Sequence, residues 1–425
     1  MKKIFLQISL FAMCLTVHAQ KKLQKDIADI ESKVIEWRHY FHQNPELSNR
    51  EFKTAEKIAE HLSSLGIKVE TGVAKTGVIG ILEGKKKGKV IALRADIDAL
   101  PVTERNDLPF KSTMKSEYLG KETGVMHACG HDTHIAILMG VAEVLSKNRD
   151  FAGTVKFIFQ PAEEGAPPGE EGGAQLMVKE GVLDNPKVDA VVGLHIGSYL
   201  DAGTIAYKPG GTMAASQRFE VHVKGKQTHG SAPWGGVDPI MVSAKIIDGL
   251  QTIISREMEL TKEAAVITVG IINAGVRNNI IPESAEMVGT IRSLDYDMQK
   301  KLNRRMEEMV PAIAKAYNAE ATITIEKGYP ITFNDLSLTD QLLPSLKAAA
   351  GDDNVNLIHA TTGAEDFSFF AQKVPGFYFF LGGKSPETAE NEYFPHHTPD
   401  FMIDDRGMIL GVKAFTQIVF DYLGN

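Results

Sequence analysis

The chain has 425 residues, enough for two or three domains. Apolar residues make up 43% and charged residues 24%, ordinary proportions for a soluble globular enzyme. The net charge is −8 and the longest basic run is Lys85-Lys86-Lys87, which argues against nucleic acid as a partner.

Lys2 and Lys3 precede an apolar run from Ile4 to Val17 that closes on Val17-His18-Ala19. That is the pattern of a secretory signal peptide cleaved after Ala19, so the mature protein is expected to be periplasmic or secreted. The run is too short for a comfortable membrane span, and no other stretch is apolar for long enough. Cys14 sits late in the run, but bulky Met13 stands where a lipoprotein signal wants a small residue. Cleavage removes Cys14 and leaves Cys129 as a lone thiol. In an oxidising compartment an exposed lone thiol is a liability, and metal ligation would explain its retention.

Ile27, Ile30, Val34, Trp37 and Phe41 follow helical spacing from Asp26 to His42. Ser48 with Glu51 three residues later reads as a capping box opening a second helix that stops at Gly66. Strands are expected at Lys68–Thr71, Val78–Glu83 and Val90–Ala95, the last entering Asp96-Ile97-Asp98. A polar loop leads to His127-Ala128-Cys129-Gly130-His131-Asp132-Thr133-His134, whose helix runs to about Leu145. Strand Thr154–Phe159 feeds Gln160-Pro161-Ala162-Glu163-Glu164-Gly165, a helix follows near Ala174–Glu180, and strand Ala190–Leu194 ends on His195. Strands alternating with helices predict an α/β domain, a mostly parallel central sheet with helices on both faces. Ligands bind outside the carboxyl ends of such strands. Asp96, Asp98, Glu163, Glu164 and His195 therefore converge at one sheet edge beside Cys129.

The order then changes to strand Arg218–Val223, helix Pro239–Met258, strands Ala265–Ile272 and Ser284–Ser293, helix Asp297–Tyr317 and strand Ala321–Glu326. This β-α-β-β-α-β pattern predicts an inserted ferredoxin-like domain. The expected division is a signal at 1–19, a catalytic domain at 20–212 and 328–425, and an inserted lid or dimerisation domain at 213–327. The last part carries helix Leu338–Ala350, strand Phe377–Leu381, the pair His396-His397 and helix Arg406–Tyr422.

Three histidines, a thiol and a carboxylate within eight residues, at the mouth of a helix whose dipole favours a thiolate, suit a metal. A polar turn with a buried cysteine and capping histidines is the plainer alternative. Neighbouring Glu163 and Glu164 point apart on extended backbone, so one can ligate while the other serves as a general base. Either could instead belong to a solvated acidic tip. His195 and His397, taken singly, could each be structural.

The motifs RADIDALP (Arg94–Pro101), HACGHDTH, QPAEEG (Gln160–Gly165), GLH (Gly193–His195), HGSAPWGGVDP (His229–Pro239), NIIP (Asn279–Pro282), GAEDF (Gly363–Phe367) and HHTPDF (His396–Phe401) together resemble one metallo-amidohydrolase branch. It contains hippurate hydrolases, N-acyl-amino-acid amidohydrolases and hydrolases of indole-acetic-acid conjugates, within the larger aminoacylase and metallocarboxypeptidase family. The resemblance implies a metal-dependent hydrolase of the amide bond in N-acyl amino acids, or alternatively of dipeptides, with two divalent ions per chain, Mn or Zn. It implies Cys129 as a bridging ligand, His131, Glu164, His195 and His397 as the others, and Glu163 as general base. Asp96 would orient a ligand, although Arg94 stands where most relatives carry a ligand histidine. His229 would reach across a homodimer to the partner's site. Asn279 and Arg292 are candidate substrate contacts.

Overall fold

The computed structural model describes residues 21–389 and 392–424; the expected signal segment, with Cys14, lies outside them. The chain forms two compact units. One comprises residues up to Pro209, Asn334–Ile358 and the chain from Phe369 on; the other comprises Gly210–Phe333 and His359–Ser368.

The strands are β1 (Lys68–Val73), β2 (Gly77–Glu83), β3 (Lys86–Asp96), β4 (Ala152–Gln160), β5 (Ala190–Asp201) and β6 (Ile205–Tyr207), then β7 (Ala215–Lys224), β8 (Ala265–Ala274), β9 (Ser284–Ser293) and β10 (Glu320–Lys327), then β11 (Val355–Leu357) and β12 (Gly376–Lys384). The helices are α1 (Glu31–Gln43), α2 (Phe52–Ser64), α3 (His131–Lys147), α4 (Gly173–Lys179), α5 (Pro239–Thr252), α6 (Tyr296–Ala316), α7 (Leu336–Ala350) and α8 (Met408–Leu423).

In the larger unit the sheet order is β1-β2-β4-β3-β5-β12-β6-β11. Its centre, β4-β3-β5-β12, is parallel, and β1 and β2 run antiparallel at one edge. Side chains alternate faces along a strand. Ile91, Leu93 and Ala95 of β3 share one core with Phe157 and Phe159 of β4, Val192 and Leu194 of β5, and Phe377 and Phe379 of β12. The apolar stripes of α1, α2, α3, α7 and α8 close that core. The short α4 contacts β4 and places Met177 over Gly77, where any Cβ would stand 2.5 Å from its Cε. Intervening strand residues such as Arg94, Asp96 and Lys156 are polar and fully buried. Buried charge needs partners, and those partners build the site.

In the smaller unit the antiparallel order is β8-β9-β7-β10, the arrangement expected of a ferredoxin-like β-α-β-β-α-β chain. Ile246 and Leu250 of α5 and Leu302, Met306 and Val310 of α6 pack on Phe219, Val221 and Ile291. Asp238 and Asp295 cap the two helices by accepting backbone N–H groups. This unit is larger than the expected 213–327. Segment 359–368 joins it because Ala214 N–H donates to the carbonyls of Thr361 and Gly363, and Thr332 Oγ1 donates to Glu365 O.

Three local expectations are corrected. Ser48 and Glu51 form no capping box: α2 starts at Phe52 without a side-chain cap, and both residues are drawn inward by other partners. Strand β5 does not end at His195 but runs on to Asp201, paired with β12. The expected polar loop before the cysteine cluster contains a hairpin, Lys115–Tyr118 paired with Lys121–Gly124.

Candidate metal centre

Helix α3 begins at His131 and is buried on all sides as far as Leu145. Gly130 precedes it at φ +87°, and a Cβ there would lie 2.3 Å from Ile196 Cγ2, so only glycine makes this turn. Asp132 fixes the first turn by accepting from Arg38 Nε at 3.0 Å and contacting His42 Nδ1 at 2.9 Å. Burial opposes its charge, but Arg38 and His42 outweigh burial and hold its carboxyl well below the usual range. Cys129 is thereby presented just outside a rigid helix end.

Cys129 Sγ stands 3.4 Å from His195 Nε2 and 3.3 Å from His397 Nε2. His397 Nε2 lies 3.2 Å from Glu164 Oε1. The donor atoms of Cys129, His131 and His195 all lie within 4.8 Å of one another, and so do those of Cys129, Glu164 and His397. Two triads thus share one sulfur. Glu163 belongs to neither of these two, but its carboxylate groups with His131 and Glu164 within the same 4.8 Å, its Oε2 3.9 Å from His131 Nε2.

The ring orientations follow from the outer contacts. His131 Nδ1 donates to Asp98 O at 2.8 Å and His195 Nδ1 donates to Ile196 O at 2.7 Å, so in each ring Nε2 is the nitrogen left to face the cluster. His134 is different. Its Nε2 accepts from Ile196 N–H at 2.8 Å, and its Nδ1 donates to Asp96 Oδ1 at 2.5 Å, which leaves no nitrogen for a metal. His396 Nε2 is likewise occupied, accepting from Ser198 N–H at 3.2 Å.

His131 Nε2, buried and facing the cluster, has no hydrogen-bond partner. An unsatisfied buried polar atom is costly, and a cation held there removes the cost. Imidazole, carboxylate and thiolate are also the donor set that zinc or manganese accepts. These residues fit a metal.

The electrostatics agree. Burial, then Glu164, Glu163 and Asp96, push the Cys129 thiol well above its ordinary value, so burial and the carboxylates together override the helix dipole expected to favour a thiolate. Burial opposes protonation of His131, yet Asp96, Asp98 and Glu164 outweigh it and raise the ring to about 10. A cation supplies the positive charge that would make both groups good ligands.

Asp96 pairs with Arg94 Nη1 at 2.6 Å and His134, and stands 3.8 Å from His131 Nε2. Asp98 is the residue in hydrogen-bond contact with His131. Its carbonyl holds His131, and its carboxylate accepts from Glu163 N–H at 3.1 Å, Glu164 N–H at 3.0 Å and Ser48 Oγ at 2.6 Å. Glu51 accepts the preceding amide, Ala162 N–H, at 2.9 Å. Three consecutive amides are therefore gripped by two buried carboxyl groups. Ala162 itself sits at φ +51°, a conformation that non-glycine residues adopt only when held.

The remaining expected residues belong to the smaller unit. His229 is exposed, accepts from Ser231 N–H at 3.1 Å, and pairs in register with Ile280, beside Asn279. Arg292 lies on β9, donating to Ile291 O at 3.0 Å and to Thr290.

A largely buried cluster of metal donors and a second carboxylate, open to solvent at His397, beside the carboxyl ends of a parallel sheet, is the arrangement of a metal-dependent hydrolase. Residues 92–420 match the model of peptidase family M20/M25/M40, and the chain belongs to that family. It is 41% identical over 405 residues to thermostable carboxypeptidase 2 of Saccharolobus solfataricus, covering 95% of this chain and 98% of that protein. It is 33% identical over 399 residues to the hippurate hydrolase of Campylobacter jejuni, covering 94% and 98%. Among solved structures it is similar to Bacillus subtilis YXEP, described as a dinuclear metal binding peptidase of the M20 family. That match has a TM-score of 0.77 and 34% identity, and covers 93% of this chain and 99% of that one. The chain is a metal-dependent hydrolase of linear amide bonds.

Proposed function

We propose that the protein hydrolyses N-acyl amino acids of the hippurate type to a carboxylic acid and an amino acid. The observation that carries this reading is the pair of donor triads sharing Cys129, with Glu163 outside both. Metal storage would need no such extra carboxylate. Cys129, His131 and His195 would hold one divalent ion, and Cys129, Glu164 and His397 a second, zinc or manganese. Bound there, the ions supply Lewis-acid polarisation of the scissile carbonyl and acidify the attacking water.

Glu163 accepts the proton of that water and returns it to the leaving nitrogen as the C–N bond breaks. Asp98 and Glu51 keep its backbone fixed while it does so. His397, with its side chain 55% exposed, marks the open side of the cluster. His229 stabilises the tetrahedral oxyanion, delivered by the partner in a homodimer. The dimer reading is supported by edge strand β8, which leaves Val266, Ile271 and Ile272 exposed. An apolar edge strand of this kind is ordinarily covered by another chain. Among the described residues no helix is long and apolar enough to cross a membrane. Export is proposed from the amino-terminal signal pattern.

A dipeptidase or carboxypeptidase is the second reading, favoured by the 41% identity to a protein named as a carboxypeptidase. A panel of hippurate, N-acetyl amino acids, indole-acetyl conjugates and dipeptides, with added Mn or Zn, separates the two. Turnover of hippurate well above that of dipeptides upholds the amidohydrolase; the reverse order selects the peptidase.

A further inference from the structure

A groove of about 210 Å³ opens directly on Glu164. Leu47, Leu100, Pro101, Tyr118, Leu119 and Pro167 give it apolar walls. Its outer wall is the tip of the hairpin Lys115–Gly124, where Leu119 and Gly120 form the two-residue turn at φ +51° and +75°. Turns with two positive φ angles favour Asn or Asp followed by Gly, so leucine is an expensive choice here. The tip also shows water two large apolar side chains, Tyr118 at 41% and Leu119 at 67% exposure. Folding gains little from either, and a strained apolar tip beside a catalytic centre indicates a binding role.

We propose that this groove is the acyl subsite of the enzyme and takes an uncharged apolar acyl group, an aromatic ring or a medium aliphatic chain. Size permits it, since a cavity of about 150 Å³ already holds benzene. Charge decides which end of the substrate enters. Glu117 and Glu164 face the groove, and its one cation, Arg50, is committed to Glu170 through Nη2 at 2.6 Å and Nη1 at 3.3 Å. With Glu164 committed to the metal, the α-carboxylate of the amino-acid half would find no free cation in this lining and would face Glu117. The acyl half carries no charge.

This inference rests on the amidohydrolase reading and is tested with the metal-loaded full chain. kcat/KM is measured for glycine carrying acetyl, butyryl, hexanoyl and benzoyl groups. It should climb along the series, by up to about fourfold per methylene buried. Leu119→Asn, which keeps the turn geometry, and Tyr118→Ser should flatten that climb while metal content stays at the wild-type level. A flat series in the wild type, or a climb unchanged in Leu119→Asn, overturns the proposal. So does a second series, acetyl-glycine, acetyl-leucine and acetyl-phenylalanine, if its climb and not the acyl one is lost in Leu119→Asn. Should no N-acyl amino acid be hydrolysed, the amidohydrolase reading fails on its own account. Calorimetric titration with hexanoate and acetate then decides the groove. Tighter hexanoate binding that Leu119→Asn abolishes upholds the apolar subsite, and equal binding ends it.

Discussion

Glu163 and Glu164 are neighbours in the chain with different surroundings, and their substitutions should separate cleanly. Glu164 Oε1 stands 3.2 Å from His397 Nε2 within a donor triad that includes Cys129, so Glu164→Gln should bind metal more weakly. Glu163→Gln should keep its metal and lose several orders of magnitude in kcat, because base catalysis and water positioning go together. Elemental analysis alongside turnover at saturating metal checks both; near-normal turnover in Glu163→Gln ends its role as base. The metal itself must compete with protons. His131 is raised to about 10 and the Cys129 thiol stands well above its ordinary value, so both are protonated near neutrality in the metal-free protein. Metal entry displaces these protons, and apparent affinity should rise with pH by about tenfold per unit for each proton displaced. A chelator competition giving one affinity from pH 6 to pH 8 would contradict this. The side chains that the structure brings together around Cys129 were legible in the sequence because their motifs are dense and specific. The division between Asp96 and Asp98 was not: both sit on one short segment, and only the pairing of Arg94 and His134 with Asp96 leaves Asp98 to hold His131.

At the scale of elements, the loop from Gln160 to Gly165 works only because α2 reaches it. Glu51 is fully buried, accepts from Ala162 N–H and sits 2.6 Å from Thr76 Oγ1. Burial, then the charge of Asp98, raises its carboxyl from 4.5 to about 8, so it is a neutral acid at pH 7. Glu51→Gln keeps an acceptor for Ala162 and should retain most activity, whereas Glu51→Ala should lose at least about tenfold in kcat as the strained loop relaxes. Equal loss in both variants would show that the hydrogen bond is not what matters. The sign of the stability effect follows from linkage. The unfolded carboxyl ionises near 4.5 and the folded one near 8, so the folded state binds more protons between these values, and this group's contribution falls as pH rises through that window. Glu51→Gln removes the slope, and its melting temperature should gain on wild type between pH 5 and pH 8. The sequence showed Ser48 and Glu51 at capping-box spacing, and local spacing cannot reveal that Asp98 and Ala162 compete for them. The parallel strands were readable from short continuous apolar runs, as in β12, which is buried on both faces. The hairpin Lys115–Gly124 was hidden because its strands are exposed, four residues each and rich in charge.

For the whole molecule, the β-α-β-β-α-β order was readable from the spacing of apolar runs, and the structure gives the β8-β9-β7-β10 sheet that this order implies. The boundary was less readable: residues 359–368 join the smaller unit through hydrogen bonds to Ala214 and Thr332, partners more than twenty residues away in the chain. That unit carries His229, exposed and oriented by Ser231, and ends in the apolar edge strand β8. An exposed histidine held in one ring orientation is suited to meet something outside its own unit. If it serves the partner's metal centre in a homodimer, His229→Ala should fold, dimerise and bind metal as wild type does while losing much of its kcat. Glu164→Ala should fail for the opposite reason, keeping His229 and losing metal. Mixing the two inactive proteins then makes hybrid dimers in which one chain offers an intact metal centre and the other an intact His229. Random exchange puts half the dimers in the hybrid class, each with one complete site of two, so activity should recover to about a quarter of wild type. Subunit exchange is followed independently by mass spectrometry of differently tagged chains. Exchange without any return of activity would confine His229 to its own chain.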